Sequence, residues 1–136
     1  MLAKAPMTTI VPVKNLDRAR AFYTQQLGLD AHGLQADGTF QIRCSGGAVI
    51  ALFLKPDGTK AEHTAISFRV DDIAAEIRDL EARGVHFHDY DLPGLKSIEH
   101  VCLLGAERAA WFSDTEGNIL CLREVLPPHL SHAFIA

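Results

Sequence analysis

Histidine residues are the side chains whose type and spacing could support metal chemistry. His86 and His88 are separated by one residue, and strand side chains alternate between faces, so both imidazoles would lie on one face of a strand. His63, His100 and Cys121 could complete a set of nitrogen and sulfur ligands for a divalent cation. The alternative interpretation is that these histidines lie at the surface, at strand ends and in loops. The residues alone leave both interpretations open.

Three arginines could bind an anionic group. Arg69 and Arg123 lie near the ends of two strand-like runs, and Arg43 ends a third. A guanidinium group can bind a carboxylate or a phosphate through two parallel hydrogen bonds. The alternative is that these arginines lie at the rim of a sheet and pair with Asp71, Glu124 or solvent.

The adjacent aromatic residues Trp111 and Phe112 offer a surface for a flat ligand. Both lie in the strand-like run AAWFSD, so one ring faces a helix layer and the other faces away and could stack on an aromatic molecule. No nucleophile is predicted at Cys44, because no base is its neighbour in the sequence. The turn at 45–47 lacks the lysine and the helix start of a phosphate-binding loop.

Two helices must position these residues, and both follow the same order of elements. Each comes after a β-rich run and a capping residue, carries one apolar stripe, and stops at a glycine. The first helix is predicted over 16–27, with Asn15 or Asp17 as its cap and Gly28 as its stop. The second is predicted over 72–83. This repeat of one supersecondary unit indicates a fold of two similar halves.

Short β-rich runs separated by turn residues predict four strands in each half. They span 7–13, 29–35, 39–43 and 48–54 in the first half and 63–70, 85–90, 106–113 and 119–125 in the second. The stretch 92–104 contains Pro93-Gly94 and no clean period, so it is predicted to be a loop that could include short strands.

The order of elements is therefore βαβββ twice, which gives an α+β fold class. We expect the two modules to form a curved, cupped mixed sheet with the helices outside. Residues 1–136 are predicted to form a single domain, with module one at 7–58, module two at 62–126 and a C-terminal tail at 127–136. The tail carries apolar residues and could pack on a dimer partner.

Strand alternation predicts which side chains line the cup and which face the helices. The predicted cup residues are Thr8, Ile10, Pro12, Val49, Ala51, Phe53, His63, Ala65, Ser67, Arg69, Ile119, Cys121 and Arg123. The residues predicted to face the helices are Val11, Val13, Ile50, Leu52, Leu54, Ile66, Phe68, Val70, Leu120 and Leu122. A shift of one residue in any strand would exchange the two sets.

The composition is that of an ordinary globular domain. Hydrophobic residues make up 48% and charged residues 22% of the chain, and the net charge is −4, so nucleic acid is not an expected partner. No apolar window is long enough to cross a bilayer, and the N-terminus lacks the long apolar core of a signal peptide. We therefore expect a cytoplasmic protein with no membrane partner, in which the three cysteines are buried thiols.

Three stretches carry a resemblance to a known family. They are VKNLDRARAFYTQQLGL at 13–29, HTAISFRVDDI at 63–73 and AAWFSDTEGNILCL at 109–122. Over residues 7–125 the chain resembles the vicinal oxygen chelate superfamily, which includes glyoxalase I, bleomycin-resistance proteins and extradiol dioxygenases. The resemblance implies the paired βαβββ fold, and it also implies a homodimer.

Metal-dependent members of that superfamily place His, Glu or Gln ligands at cup-facing positions of four strands. The resemblance assigns these positions to Thr8, Ala51, Ala65 and Cys121. Alanine has no donor atom, threonine is a poor ligand, and a lone thiolate cannot hold a catalytic ion. We therefore expect no cofactor at the usual site.

The leading hypothesis is a metal-free homodimer that binds a small apolar or aromatic molecule, similar to the antibiotic-sequestering members of the superfamily. Its pocket is predicted to be lined by Thr8, Ile10, Ala51, Phe53, His63, Ala65, Ser67, Arg69, Trp111, Ile119, Cys121 and Arg123.

The alternative hypothesis is an enzyme, with no catalytic residue assigned. A divalent metal held by shifted ligands would make it a glyoxalase-like lyase or isomerase, or an extradiol-type dioxygenase. A metal-free enzyme could instead use His63 or a pair of arginines to orient acid–base chemistry. A third class, a regulatory or scaffold module, has no positive feature in the sequence.

Overall fold

Two four-stranded sheets, each accompanied by one helix, form most of the regular structure in residues 1–127, which are the residues that this computed structural model describes. The chain divides into two units. The first contains Met1–His63 and Asp114–Asn118, and the second contains Thr64–Ser113 and the residues from Ile119 onward. The predicted C-terminal tail lies, from residue 128, outside the described residues. The assignment of the whole chain to a single domain stays a prediction.

The first unit is built on the strands β1 (Thr8–Val13), β2 (Asp30–Leu34), β3 (Phe40–Arg43) and β4 (Val49–Leu54). Their order in the sheet is β1-β4-β3-β2, in which β1 and β4 are parallel and the other pairs are antiparallel. All four strands lie within the ranges that the sequence predicts, because alternating apolar residues between glycine-containing turns specify them locally.

Helix α1 (Leu16–Ala21) follows β1 and continues into a π-helical turn, Phe22–Gln26. The side chain of Asn15 caps the helix by accepting a hydrogen bond from the Arg18 amide at 3.0 Å. The sequence predicts one uniform helix over 16–27. The structure differs from this prediction in the last turn, which is a wider π-helical turn. The segment ends before Gly28, whose positive φ of 73° fits the left-handed stop.

The second unit repeats this arrangement. Its sheet contains β5 (Thr64–Arg69), β8 (Cys102–Leu104), β9 (Glu107–Ser113) and β10 (Ile119–Val125), in the order β5-β10-β9-β8. Again the first and last strands are parallel, and the other pairs are antiparallel. Helix α2 (Ile73–Ala82) is capped by Asp72, which accepts from the Ala75 amide at 3.1 Å. The α+β class and the two βαβββ modules are confirmed.

The predicted strand at 85–90 is wrong. The structure forms the short pair β6 (Asp91–Leu92) and β7 (Leu95–Lys96) and then β8, nearly all within 92–104, where the sequence predicts a loop that could include short strands. Because β8 occupies the edge of β9 at 107–109, the 85–90 segment keeps one isolated bridge, from Phe87 to Phe112. The His88 amide donates to the Trp111 carbonyl at 2.8 Å, and beyond it the backbone leaves the sheet.

Contacts between each helix and its sheet show which face of the sheet the helix covers. In the first unit the Arg20 guanidinium of α1 lies 4.2 Å from the centre of the Phe40 ring, so the face that carries Phe40 is the helix side. In the second unit the Ile73 amide of α2 donates to Glu124 at 3.2 Å, and Glu124 binds Arg108 on the neighbouring strand. We call the opposite face of each sheet its helix-free face.

Burial follows this division with a few departures. Fully buried core residues of the helix side include Val11, Val13, Ile42, Leu52, Phe112 and Leu120. Leu54, predicted to face the first helix, is 57% exposed because it ends its strand. On the helix-free faces Ala51 and Cys121 are nevertheless buried. No helix in residues 1–127 is long and apolar enough to cross a bilayer.

Candidate functional site

The helix-free face of the first sheet holds four of the predicted pocket residues. Parallel pairing aligns Ile10 with Ala51, so these two residues lie side by side. Thr8 lies two residues before Ile10 on β1, and Phe53 lies two residues after Ala51 on β4. All four side chains are therefore on the same face. Ile10 is 57% exposed and Phe53 is half-buried, whereas Ala51 is only 2% exposed. This face is therefore apolar, and a large aliphatic side chain projects from it.

The helix-free face of the second sheet brings together five more. Cys121 lies between Ser67 and Trp111 on the adjacent strands, because the register pairs it with both. In the next row Arg123 lies beside Arg69. The uncharged side chains of Ser67 and Cys121 thus border the Trp111 ring. The guanidinium groups of Arg69 and Arg123 lie two residues further along their strands.

The start of the fifth strand is irregular. The register shifts between Ile119 and Leu120, which pair with Thr64 and Ile66, so Ala65 is the extra residue of a β-bulge. Ala65 and His63 are exposed. His63 directly precedes the strand and belongs to the first unit, whereas Cys121 belongs to the second.

Two residues that the predicted pocket omits, His88 and Tyr90, accompany Trp111. The Tyr90 ring packs edge-to-face on the Trp111 ring, with centroids 5.5 Å apart and an interplanar angle of 87°. The indole Nε1 of Trp111 donates to the Thr64 hydroxyl at 3.1 Å, and His88 Nε2 lies 3.0 Å from the Ser113 hydroxyl. We call His88, Tyr90 and Trp111 the aromatic cluster. Its signal in the sequence was the two-residue spacing of His88 and Tyr90.

Ionisable groups beside the aromatic cluster are held neutral. Burial raises the pKa of the Cys121 thiol, although hydrogen bonds with Ser67 and with the Ala110 backbone oppose that shift. Burial also raises the pKa of the Tyr90 phenol, and the pKa of the Cys102 thiol is raised by burial and by Asp89. At neutral pH the two thiols and the Tyr90 phenol are therefore uncharged.

The arginines follow only in part the sequence-based alternative, which named Asp71, Glu124 or solvent as their partners. Arg123 Nη1 donates to Glu107 Oε1 at 2.9 Å, not to Asp71 or Glu124. Arg43 lies 3.5 Å from the His32 ring. Arg69 is exposed and forms no ion pair with any residue in 1–127. One guanidinium on the helix-free face is thus available to a ligand.

The turn between β9 and β10 holds a cluster of buried polar residues that sequence reasoning missed. Asp114 Oδ2 accepts from the Tyr23 hydroxyl at 2.6 Å and from Asn118 Nδ2 at 2.8 Å, and Asp114 Oδ1 accepts from two turn amides. Asn118 Nδ2 also donates to the Pro12 carbonyl at 2.9 Å. Burial and the Asp114 carboxylate raise the pKa of the Tyr23 phenol. All of these hydrogen bonds join two groups of the protein, so these buried polar residues hold the turn in place.

Glu116 of the same turn caps the first helix from outside. Its Oε1 accepts from the amides of Lys14 and Asn15 at 2.9 and 2.8 Å, and its Oε2 accepts from Arg18 Nε at 2.7 Å and Thr115 Oγ1 at 2.8 Å. Burial alone would raise the pKa of this carboxyl, but the hydrogen bonds from Arg18 and the neighbouring donors lower it to about 2. The Glu116 carboxylate is therefore ionised, and both of its oxygens accept hydrogen bonds from protein donors.

Comparison with known proteins places this architecture in a family. The model of the Glyoxalase/Bleomycin resistance protein/Dioxygenase superfamily matches residues 6–122. The chain belongs to this superfamily. No curated protein matches the sequence significantly.

Solved structures of several other proteins share the fold. A member from Sphaerobacter thermophilus is 25% identical with a TM-score of 0.70, and the match covers 91% of this chain and 99% of that one. TnmS3, an antibiotic binding protein from a Streptomyces species, is 24% identical with a TM-score of 0.67, covering 92% and 98%. A lactoylglutathione lyase from Agrobacterium tumefaciens is 21% identical with a TM-score of 0.61, covering 89% and 93%.

The residues of this superfamily member do not fit the divalent metal that glyoxalases and dioxygenases use. Ala51 and Ala65, at two of the four expected ligand positions, have no donor atom. The histidines considered as shifted ligands are engaged elsewhere or exposed. His100 lies between Asp89, at 2.7 Å, and Glu81, at 3.4 Å. In the described part of the chain, no three His, Cys, Asp or Glu side chains are placed to hold one metal ion.

Proposed function

We propose that the protein binds a small aromatic molecule, without a metal, on the helix-free face of the second sheet. The observation that carries the proposal is the aromatic cluster beside Cys121 and Ser67. Trp111 is half-buried and fixed by its hydrogen bond to Thr64, so its ring is already oriented for stacking.

Neutrality and small size around the cluster favour an apolar ligand. Serine and a protonated thiol stand next to Trp111, where a charged or bulky side chain would repel or obstruct a ring. Arg69, which has no ion-pair partner among the described residues, would bind an acidic substituent if the ligand carries one.

Trp111 is the only tryptophan, so its fluorescence reports directly on this site. We expect chelator-treated protein to bind members of a panel of planar aromatic compounds, with saturable quenching of Trp111 emission and one ligand per chain. Trp111→Leu should weaken binding, measured by calorimetry, about tenfold, a stacking contribution of roughly 1.4 kcal/mol. The matched control is Leu103→Ala, an exposed apolar residue on β8, which should leave the affinity within about twofold.

Three results would contradict the proposal. The first is that no compound of a broad aromatic and drug panel binds the metal-free protein. The second is that binding occurs with Trp111 emission unchanged and with Trp111→Leu as tight as the original chain. The third is stoichiometric Zn, Ni, Fe or Mn in protein purified without added metal, which would favour the enzyme alternative.

The assembly and location also belong to the proposal. We infer a homodimer, because the superfamily resemblance implies one, and sedimentation equilibrium should give twice the chain mass of 14.9 kDa. A monomer at all concentrations would contradict this. Cytoplasmic residence stays a prediction of the sequence.

A further inference from the structure

A polar cavity in the first unit has none of the aromatic-cluster residues in its lining. Its volume is about 460 Å³. It is lined by Lys14, Lys55, Pro56, Asp57, Gly58 and Lys60. Three of the six residues are lysines and one is acidic. We call it the lysine cavity.

Strand register places two of the lysines side by side. β1 and β4 are parallel, and Val13 pairs with Leu54 at their carboxyl ends, so the next residues of both strands, Lys14 and Lys55, leave the sheet together. The Lys55 amide donates to the Val13 carbonyl at 2.8 Å and extends the pairing by one step.

A tight turn forms the floor of the lysine cavity. The Gly58 amide donates to the Lys55 carbonyl at 2.8 Å, and the Lys55 ammonium donates back to the Gly58 carbonyl at 2.8 Å. Gly58 has a φ of 68°, and a Cβ at this position would lie 3.9 Å from the Cβ of Lys14. The two hydrogen bonds between Lys55 and Gly58 therefore hold the turn closed beside Lys14.

The charge of this cavity is unbalanced. Three ammonium groups and one carboxylate give a local net charge of +2 (3 − 1), although the whole chain carries −4. Within residues 1–127 the ammonium groups of Lys14 and Lys60 form no salt bridge. Like charges held next to one another repel, and a bound anion removes that cost.

We propose that the lysine cavity binds the phosphate group of a small soluble phosphate monoester. A monoester carries about −1.5 to −2 at neutral pH, which matches the net charge of the cavity. Lysine binds phosphate as a point charge, whereas a planar carboxylate is the better partner of an arginine fork, which this cavity lacks.

The test is a titration followed by ¹H–¹⁵N correlation spectra at low ionic strength. The probes are glycerol 1-phosphate, inorganic phosphate, and sedimenting vesicles that contain phosphatidic acid. We expect glycerol 1-phosphate to give saturable shifts at the amides of Lys14 and 55–60, and no association with vesicles. Binding should weaken with added salt, and it should strengthen from pH 5 to pH 8 as the monoester ionises.

Variants separate this site from general charge attraction. The double variant Lys14→Gln with Lys60→Gln should lower the affinity for glycerol 1-phosphate at least about tenfold and keep the folded spectrum. Lys55 is left unchanged because its side chain holds the turn. The control is Lys96→Gln, an exposed lysine in the second unit, which should lower affinity less than about twofold.

Several outcomes would overturn the proposal. One is an adventitious ion only, in which inorganic phosphate gives diffuse, non-saturating shifts and glycerol 1-phosphate gives none. Another is an equal loss of affinity in the Lys96→Gln control. Association with vesicles without binding of the soluble ester would replace the proposed ligand by a lipid headgroup. None of these measurements reads the aromatic cluster, so the site here and the site under the proposed function succeed or fail separately.

Discussion

Replacing Glu116 by glutamine removes a buried negative charge that caps the first helix from the β9–β10 turn. In the folded chain the carboxyl pKa is about 2, against an ordinary value of 4.5. At about 1.4 kcal/mol for each pKa unit, this difference corresponds to about 3 kcal/mol of stability at neutral pH. Because Arg18 is 51% exposed, solvent screens part of the attraction, and we expect a loss of about 2–3 kcal/mol.

The loss should be measured by urea unfolding followed by circular dichroism at pH 7. A decrease of about 2–3 kcal/mol corresponds to a fall of roughly 6–10 °C in the melting temperature of a domain of this size. The matched control is Glu62→Gln, which neutralises an exposed glutamate of the same unit. That control should change the free energy of unfolding by less than about 0.5 kcal/mol.

The pH dependence gives a second readout with a definite sign. The pKa of Glu116 is lowered by folding, so its contribution is complete above pH 4.5. It is lost as the pH falls towards about 2, because the unfolded chain takes up the proton first. Over this pH range the unsubstituted protein should therefore lose more free energy of unfolding than the Glu116→Gln variant loses. Equal stability of the two proteins at pH 7, or parallel pH curves, would refute the reasoning.

Three further substitutions test the other interactions that hold the fold. Tyr23→Phe removes the hydroxyl that donates to Asp114 at 2.6 Å, and it should cost about 1.5–3 kcal/mol in urea unfolding, the range for a hydrogen bond to a charged group. Asp72→Ala removes the cap that accepts from the Ala75 amide, and a loss of about 1 kcal/mol is expected by the same assay. Phe112→Ala empties a fully buried position of the second core, and a loss of about 3–5 kcal/mol should appear as a lower urea midpoint.

Each of these substitutions has a control of the same chemistry. Tyr90→Phe removes a hydroxyl that lies only within 3.5 Å of a histidine ring nitrogen, so it should cost less than Tyr23→Phe. Asp71→Ala removes an exposed neighbour of the cap, and Leu34→Ala shortens a side chain that is 65% exposed. If any control costs as much as its partner, the contact named for that partner is not the source of the stability.

The secondary structure was predictable wherever the signal is local. The first helix shows this, because its cap is Asn15, one of the two residues that the sequence offers, and its stop is Gly28, both within one helical turn of the boundary. The 85–90 run has the composition of a strand, yet β8 competes for the same edge of β9. Composition cannot show which of two segments takes an edge, because that choice depends on pairing across the chain.

The candidate site was predictable in its faces and less so in its contacts. Alternation along β10 placed Cys121 and Arg123 together, since a period of two is a property of the backbone. The partner of Arg123 is Glu107, which lies 16 residues away on the next strand, and sequence spacing gave no means of choosing it over Glu124. The same limit hid Glu116, because its hydrogen-bond donors precede it by about a hundred residues.

The turn at Asp114–Asn118 comes late in the sequence, so it also determines when the first unit can be completed during synthesis. The Lys14 amide and its acceptor Glu116 are 102 residues apart, so α1 leaves the ribosome long before its outer cap has been translated. Closing so long a stretch of chain is slow compared with forming a helix. The first unit is therefore completed only after Asn118 has been synthesised, and a stalled chain that ends before Asp114 would expose the first sheet and α1 without this turn to chaperones and proteases.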